Sequence, residues 1–122
     1  MIHCACLLAE KDNSLLLVRV RNHKLWYLPG GKIEHEESPK KTLIRELAEE
    51  LGITVPIESL NYVTTVIGPS HDGKDQVTLI CFAGDIQNSF KPSAEITEVA
   101  WISKNQSEIM APAVQLLVAG RG

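Results

Sequence analysis

The chain has 122 residues, 44% hydrophobic and 22% charged, with a formal net charge of −3. That is enough to bury a sizeable core and too little for two domains of ordinary size, so a single domain over residues 1–122 is expected. The mildly acidic balance argues against stable nucleic-acid binding, which needs a surplus of Lys and Arg on one face, and no apolar run approaches the roughly 20 residues of a membrane span.

Residues 4–9 and 15–20 are short apolar runs divided by the polar stretch 11–14, which predicts two strands joined as a hairpin or meander. Residues 25–28 fit a further short strand, and Pro29-Gly30-Gly31 reads as a loop with unusual backbone angles. A helix is predicted over 39–51. Ser38 is a good N-cap, Pro39 suits the first helical position, and Gly52 stands just past the last periodic residue. Residues 60–67 and 76–83, rich in Val, Thr, Ile and Phe, predict two more strands, with 68–73 as the turn between them. Residues 99–102 suggest a last strand, and 111–119 a terminal helix. Strands around one long amphipathic helix indicate a mixed sheet covered by helices, an α/β or α+β layered domain.

Cys4, Cys6 and Cys81 are an odd set without zinc-ligand spacing and are expected to be buried, inert thiols. The first residues also lack the basic-then-apolar order of a signal peptide, so a cytoplasmic protein is expected. His3, His23, His35 and His71 are scattered, and His71, in a loop, is the one to follow.

On the predicted helix Leu43, Ile44, Leu47, Ala48 and Leu51 share one arc, and Arg45, Glu46, Glu49 and Glu50 fall opposite. Glu46, Glu49 and Glu50 stand at i, i+3 and i+4, where mutual repulsion calls for a cation. Arg45 relieves part of it, and a hard divalent ion such as Mg²⁺ satisfies it better. Gly30 and Gly31 can bring backbone groups to the mouth of the same helix. Glu50→Gln is expected to abolish function while leaving the melting temperature nearly unchanged, since the carboxylate reads as exposed.

Gly31, Glu37, Arg45-Glu46-Leu47, Glu49-Glu50 and Gly52-Ile53 fit G-x5-E-x7-R-E-U-x-E-E-x-G-U over residues 31–53, where U is aliphatic. This is similar to the Nudix box. Leu25-Trp26-Tyr27-Leu28-Pro29-Gly30-Gly31-Lys32 resembles the lead-in of the MutT-type members, and Glu95, six residues before Trp101, is similar to their downstream acidic residue. The resemblance implies an α/β/α sandwich with a central mixed sheet. It also implies Mg²⁺-dependent hydrolysis, with Mn²⁺ as an alternative, of a nucleoside diphosphate linked to some group X. Family membership does not by itself fix the substrate.

By that resemblance Glu46, Glu49 and Glu50 are metal ligands, with the Gly30 or Gly31 carbonyl and Glu95 as further ligands. The general base is one of these glutamates or Glu95. Glu37 and Arg45 are scaffold, Lys32 steadies a phosphate or the attacking water, and Gly30, Gly31 and Gly52 shape the site. Trp26 reads as core. The P-G-G-K sequence favours a MutT-like nucleoside triphosphate pyrophosphatase, with 8-oxo-dGTP as one candidate substrate. Two departures point elsewhere. Pro112-Ala113-Val114 has a valine where MutT-like chains carry a base-reading Asn or Asp, and Pro69, 16 residues beyond Ile53, has a spacing similar to that of ADP-ribose pyrophosphatases. A module that binds nucleotide without cleaving it usually lacks box glutamates, and all are present here. The expected partner is a small nucleotide, and the chain is expected to be a monomer or homodimer.

Overall fold

The helix expected over 39–51 lies at those bounds in a computed structural model, which describes residues 1–87 and 89–121; Asn88 and Gly122, the end of the expected domain, lie outside the described residues. This helix, α1 (Pro39–Leu51), begins where the Ser38 hydroxyl oxygen accepts the Lys41 N–H at 3.2 Å. It ends at Gly52, whose left-handed φ of 65° lets its N–H return to the Ala48 and Leu47 carbonyls. Leu43, Leu47 and Leu51 along one side are fully buried. Each such leucine contributes about 1.5–3 kcal/mol.

Before α1 come β1 (Ile2–Leu7), β2 (Glu10–Lys11), β3 (Ser14–Val20), β4 (Trp26–Tyr27) and β5 (Gly30–Lys32). After it come a 3₁₀ turn at Ile57–Ser59, β6 (Asn61–Pro69), β7 (Gln76–Ala83), β8 (Ile96–Ser103), a 3₁₀ segment at Lys104–Ile109 and α2 (Pro112–Arg121). The strands form two four-stranded sheets. One is ordered β5-β1-β7-β6, with β1 and β7 parallel and the other pairs antiparallel. In the other β3 is central, with β8 along its length and β2 and β4 at its two ends. The hairpin from β2 to β3 turns at Asp12 and Asn13, with φ of 51° and 64°, which short polar residues tolerate.

The alternation along the chain explains the layers. Ala5, Leu7, Leu16 and Val18 point into a core with the buried face of α1, whereas Cys6, Leu8, Leu15 and Leu17 point into a second core with Ala113, Val114 and Leu117 of α2. The sheets are thus apolar on both faces and covered by a helix on each, the expected α/β/α arrangement with a mixed sheet. Trp26 is buried, with the Arg19 guanidinium 5.6 Å from its ring centroid. Among the described residues no helix is long and apolar enough to cross a membrane.

Two expectations are corrected. Gly30-Gly31 is not a loop: Gly30–Lys32 is a strand paired with β1 in the register Cys6↔Gly30, Ala5↔Gly31, Cys4↔Lys32. Gly30 has φ of 139°, and a Cβ there would run into the Ala5 carbonyl, so only glycine brings this backbone so close to β1. The expected turn from residue 68 starts later, because Gly68 and Pro69 still pair with Val77 and Gln76 at the end of β6.

Candidate active site

The polar face of α1 lies beside β5, and their contact is a hydrogen bond from the Gly30 N–H to Glu50 Oε1 at 3.1 Å. This places Glu50 partly inside the fold, which corrects the expectation of an exposed carboxylate. Its carboxyl is pushed up to about 8, chiefly by burial, with neighbouring Glu46 adding and the Gly30 N–H opposing. Glu46 lies one turn earlier. Its carboxyl is raised mainly by burial and pulled back by Arg45. A Cβ on Gly31 would stand 2.5 Å from Glu46 Oε2, so the missing side chain of Gly31 is the space that Glu46 occupies.

Arg45 ties the acidic groups together. Its Nε donates to Glu37 Oε2 and its Nη2 to Glu37 Oε1, both at 2.9 Å, and its Nη1 donates to Glu46 Oε1 at 2.8 Å. The same Nη1 is 3.7 Å from Glu49 Oε2. Glu37 also accepts the Thr42 hydroxyl at 2.7 Å and the Glu34 N–H at 3.3 Å. The Arg45 and Thr42 hydrogen bonds hold its carboxyl down to about 2. Two parallel donors from one planar guanidinium fix the geometry of this pair in a way a lysine would not. Glu49 is the most exposed of the three helix carboxylates, its side chain 54% accessible.

Of the other residues singled out, Gly52 caps α1 and Lys32 is exposed in β5, paired with Cys4. Glu95 is exposed in the turn before β8, where its carbonyl accepts the Arg21 N–H at 2.7 Å; none of the described contacts joins its carboxylate to the helix cluster. Glu46, Glu49 and Glu50 offer hard oxygen donors of the kind Mg²⁺ prefers, and the glycine edge leaves Glu46 and Glu50 room against the sheet. Among the described residues, however, no group of three His, Cys, Asp or Glu side chains already converges as a metal cage. The donor chemistry fits a divalent cation, and the present rotamers are tied to Arg45 and Gly30 instead.

Glu50, Gly30 and Gly31 form one end of a cavity of about 490 Å³ between the two sheets and the start of α2. This lies within the range usual for small-molecule sites. Cys4, Cys6 and Val114 also line it. Cys6 and Cys81 are buried and Cys4 half-buried, and among the described residues none of the three forms a disulfide. Burial raises the Cys4 and Cys6 thiols, which keeps them protonated and unreactive. Pro69 and His71 line the far side, so His71 faces the cavity. Sequence reasoning missed Tyr27, another lining residue. Its aromatic type in a two-residue strand carried no periodic signal that could have marked it.

A family model described as NUDIX domain matches residues 2–117. The chain is similar to a MutT-like protein of Streptomyces ambofaciens, 32% identical over 122 residues that take in 97% of this chain and 75% of the relative. It is similar to an ADP-ribose pyrophosphatase of Methanocaldococcus jannaschii, 34% identical over 80 residues, 63% of this chain and 46% of the relative. It is also similar to a CTP pyrophosphohydrolase of Escherichia coli K12, 38% identical over 61 residues, 47% of this chain and 45% of the relative. The matches thus span three quarters of the first relative and less than half of each of the others. Among solved structures, the E. coli ORF135 protein superposes with a TM-score of 0.74 at 28% identity, covering 98% of this chain and 86% of that one.

Proposed function

The chain belongs to the Nudix hydrolase family, and from that premise we propose that it hydrolyses nucleoside triphosphates to a nucleoside monophosphate and pyrophosphate. The observation that carries this reading is the junction of the acidic face of α1 with a small-molecule-sized cavity at Glu50 and Gly30. Glu50 joins one end of the cavity to the carboxylates of α1 for phosphate chemistry, and the wall beyond it, with Cys6, Leu79 and Val114, is apolar enough for a nucleoside. The MutT-like and CTP pyrophosphohydrolase relatives support the triphosphate reading, with 8-oxo-dGTP among the candidate substrates.

In this reading residues 1–122 act as one domain, in the cytoplasm, as a monomer or homodimer and without stable binding to nucleic acid. Glu46, Glu49 and Glu50 would hold Mg²⁺, or Mn²⁺ in its place, with the Gly31 carbonyl and Glu95 as further donors. Such an ion, when bound, neutralises the polyphosphate and makes a water easier to deprotonate. Glu37 and Arg45 position Glu46, because the guanidinium grips both carboxylates at once. Lys32, exposed beside the acidic end, steadies a phosphate oxygen or the attacking water. The proton of that water passes to one of the carboxylates of Glu46, Glu49, Glu50 or Glu95.

A second reading is cleavage of ADP-ribose. It is favoured by the position of Pro69 in the cavity wall and by the ADP-ribose pyrophosphatase relative. Product analysis with Mg²⁺ decides between them. Monophosphate and pyrophosphate from triphosphates support the first reading, and cleavage of ADP-ribose alone supports the second.

A further inference from the structure

The end of the cavity away from Glu50 holds an aromatic cluster assembled from strand β4 and two loops on different sheets. Tyr27 and His71 line the cavity, and His23 links them: its ring centroid is 4.9 Å from that of His71 and 5.6 Å from that of Tyr27, and its Nδ1 is hydrogen-bonded to the Tyr27 hydroxyl at 2.9 Å. The loop that carries His71 is pinned from within. Buried Ser70 donates to Asp72 Oδ1 at 2.7 Å, the Ser70 hydroxyl accepts the Asp75 N–H at 3.1 Å, and the Gly73 N–H returns to the Ser70 carbonyl at 3.0 Å. The backbone that carries the exposed ring of His71 is therefore ordered before any ligand arrives, which lowers the ordering cost of binding.

The geometry points to His71, set by His23 and Tyr27, as the stacking platform for the heterocyclic base of the substrate. The inference rests on the reading of this cavity as the nucleotide site and adds how the base is held. The chemistry of the two ends places the base here. On the loop Asp72 and Asp75 are offset by Lys74 and by the Met1 ammonium 3.4 Å from Asp75, so no net positive charge draws a phosphate, whereas a flat neutral ring gains from an aromatic face. The wall between the two ends, with Cys6, Val77, Leu79 and Val114, is apolar and offers a base edge no strong hydrogen-bonding side chain. Recognition by stacking is tolerant of base identity, because every base has a π-face. The contribution of His71 itself should thus be similar for purines and pyrimidines.

The test is calorimetric titration, which needs no turnover. Wild type, His71→Ala and His71→Phe are titrated with AMP, GMP and CMP, and with ribose 5-phosphate as a probe without a base, all in Mg²⁺. His71→Ala should weaken each monophosphate about tenfold or more, in keeping with the usual loss when a stacking ring is removed. It should leave ribose 5-phosphate unchanged, and His71→Phe should bind the monophosphates close to wild type. Equal monophosphate affinities in wild type and His71→Ala would overturn the platform, as would a loss shared by ribose 5-phosphate. Failure of the hydrolase reading looks different: the base-dependent loss would persist in a protein that cleaves none of the triphosphates.

Discussion

Replacing Glu50 by Gln should change stability in a way that depends on pH. The Glu50 carboxyl is raised from an ordinary 4.5 to about 8 in the folded chain without metal, mainly by burial. Folding therefore favours its protonated form. The associated stability is fully present below about pH 4.5 and is lost as pH rises towards 8, at ~1.4 kcal/mol per unit. Between pH 5 and 8 the metal-free wild type should lose about 3–4 kcal/mol relative to Glu50→Gln, which does not titrate but still accepts the Gly30 N–H. For a chain of this size that corresponds to a gap in melting temperature of roughly 12–16 °C. The assay is thermal unfolding in EDTA at several pH values, followed by circular dichroism. Saturating Mg²⁺ at pH 8 should recover much of the loss in the wild type and little in the variant. A gap that does not grow from pH 5 to 8 would refute the argument that the buried carboxyl is the cause.

Arg45→Lys keeps the charge but loses the fork to Glu37 and Glu46, so kcat/KM should fall by about 10–100-fold, with a loss of stability no larger than that of Glu37→Gln; full activity would count against positioning by Arg45. Because Glu37 is held down to about 2, its contribution is present above pH 4.5 and disappears as pH falls towards 2. Wild type should therefore be the more stable protein at pH 6, and its advantage over Glu37→Gln should vanish in acid melts near pH 2. Gly31→Ala should displace the Glu46 carboxylate and lower kcat with the fold intact, whereas Gly30→Ala, at φ of 139° and against the Ala5 carbonyl, should impair folding itself. Circular dichroism and initial rates on the two variants separate these outcomes.

The frame of α1 was legible because each boundary rests on local chemistry. Ser38 accepts a neighbouring N–H, Pro39 fills a position that needs no donor, and Gly52 adopts the left-handed turn. Strand β7 was equally plain, as a run of β-formers between turn residues. Strand β8 began earlier than expected because Thr97 and Glu98 face solvent and broke the apolar run that marks a strand. Strand β5 was hidden because glycine has no strand preference of its own; only the pairing with β1 makes it one. The acidic triplet could be placed on one helix face from spacing alone, but the burial of Glu50 depends on where the Gly30 backbone comes to rest. The aromatic end of the cavity was out of reach for the same reason. His23, Tyr27 and His71 come from separate loops and strands, and no local pattern encodes their meeting.

The most direct test of the account is chromatographic product analysis of the purified chain incubated with a mixed panel of triphosphates, 8-oxo-dGTP and ADP-ribose, with Mg²⁺ and with excess EDTA. The account predicts release of monophosphate and pyrophosphate from triphosphates with Mg²⁺ and none with EDTA. Turnover that survives EDTA, or a properly folded chain that cleaves none of these compounds, would contradict it.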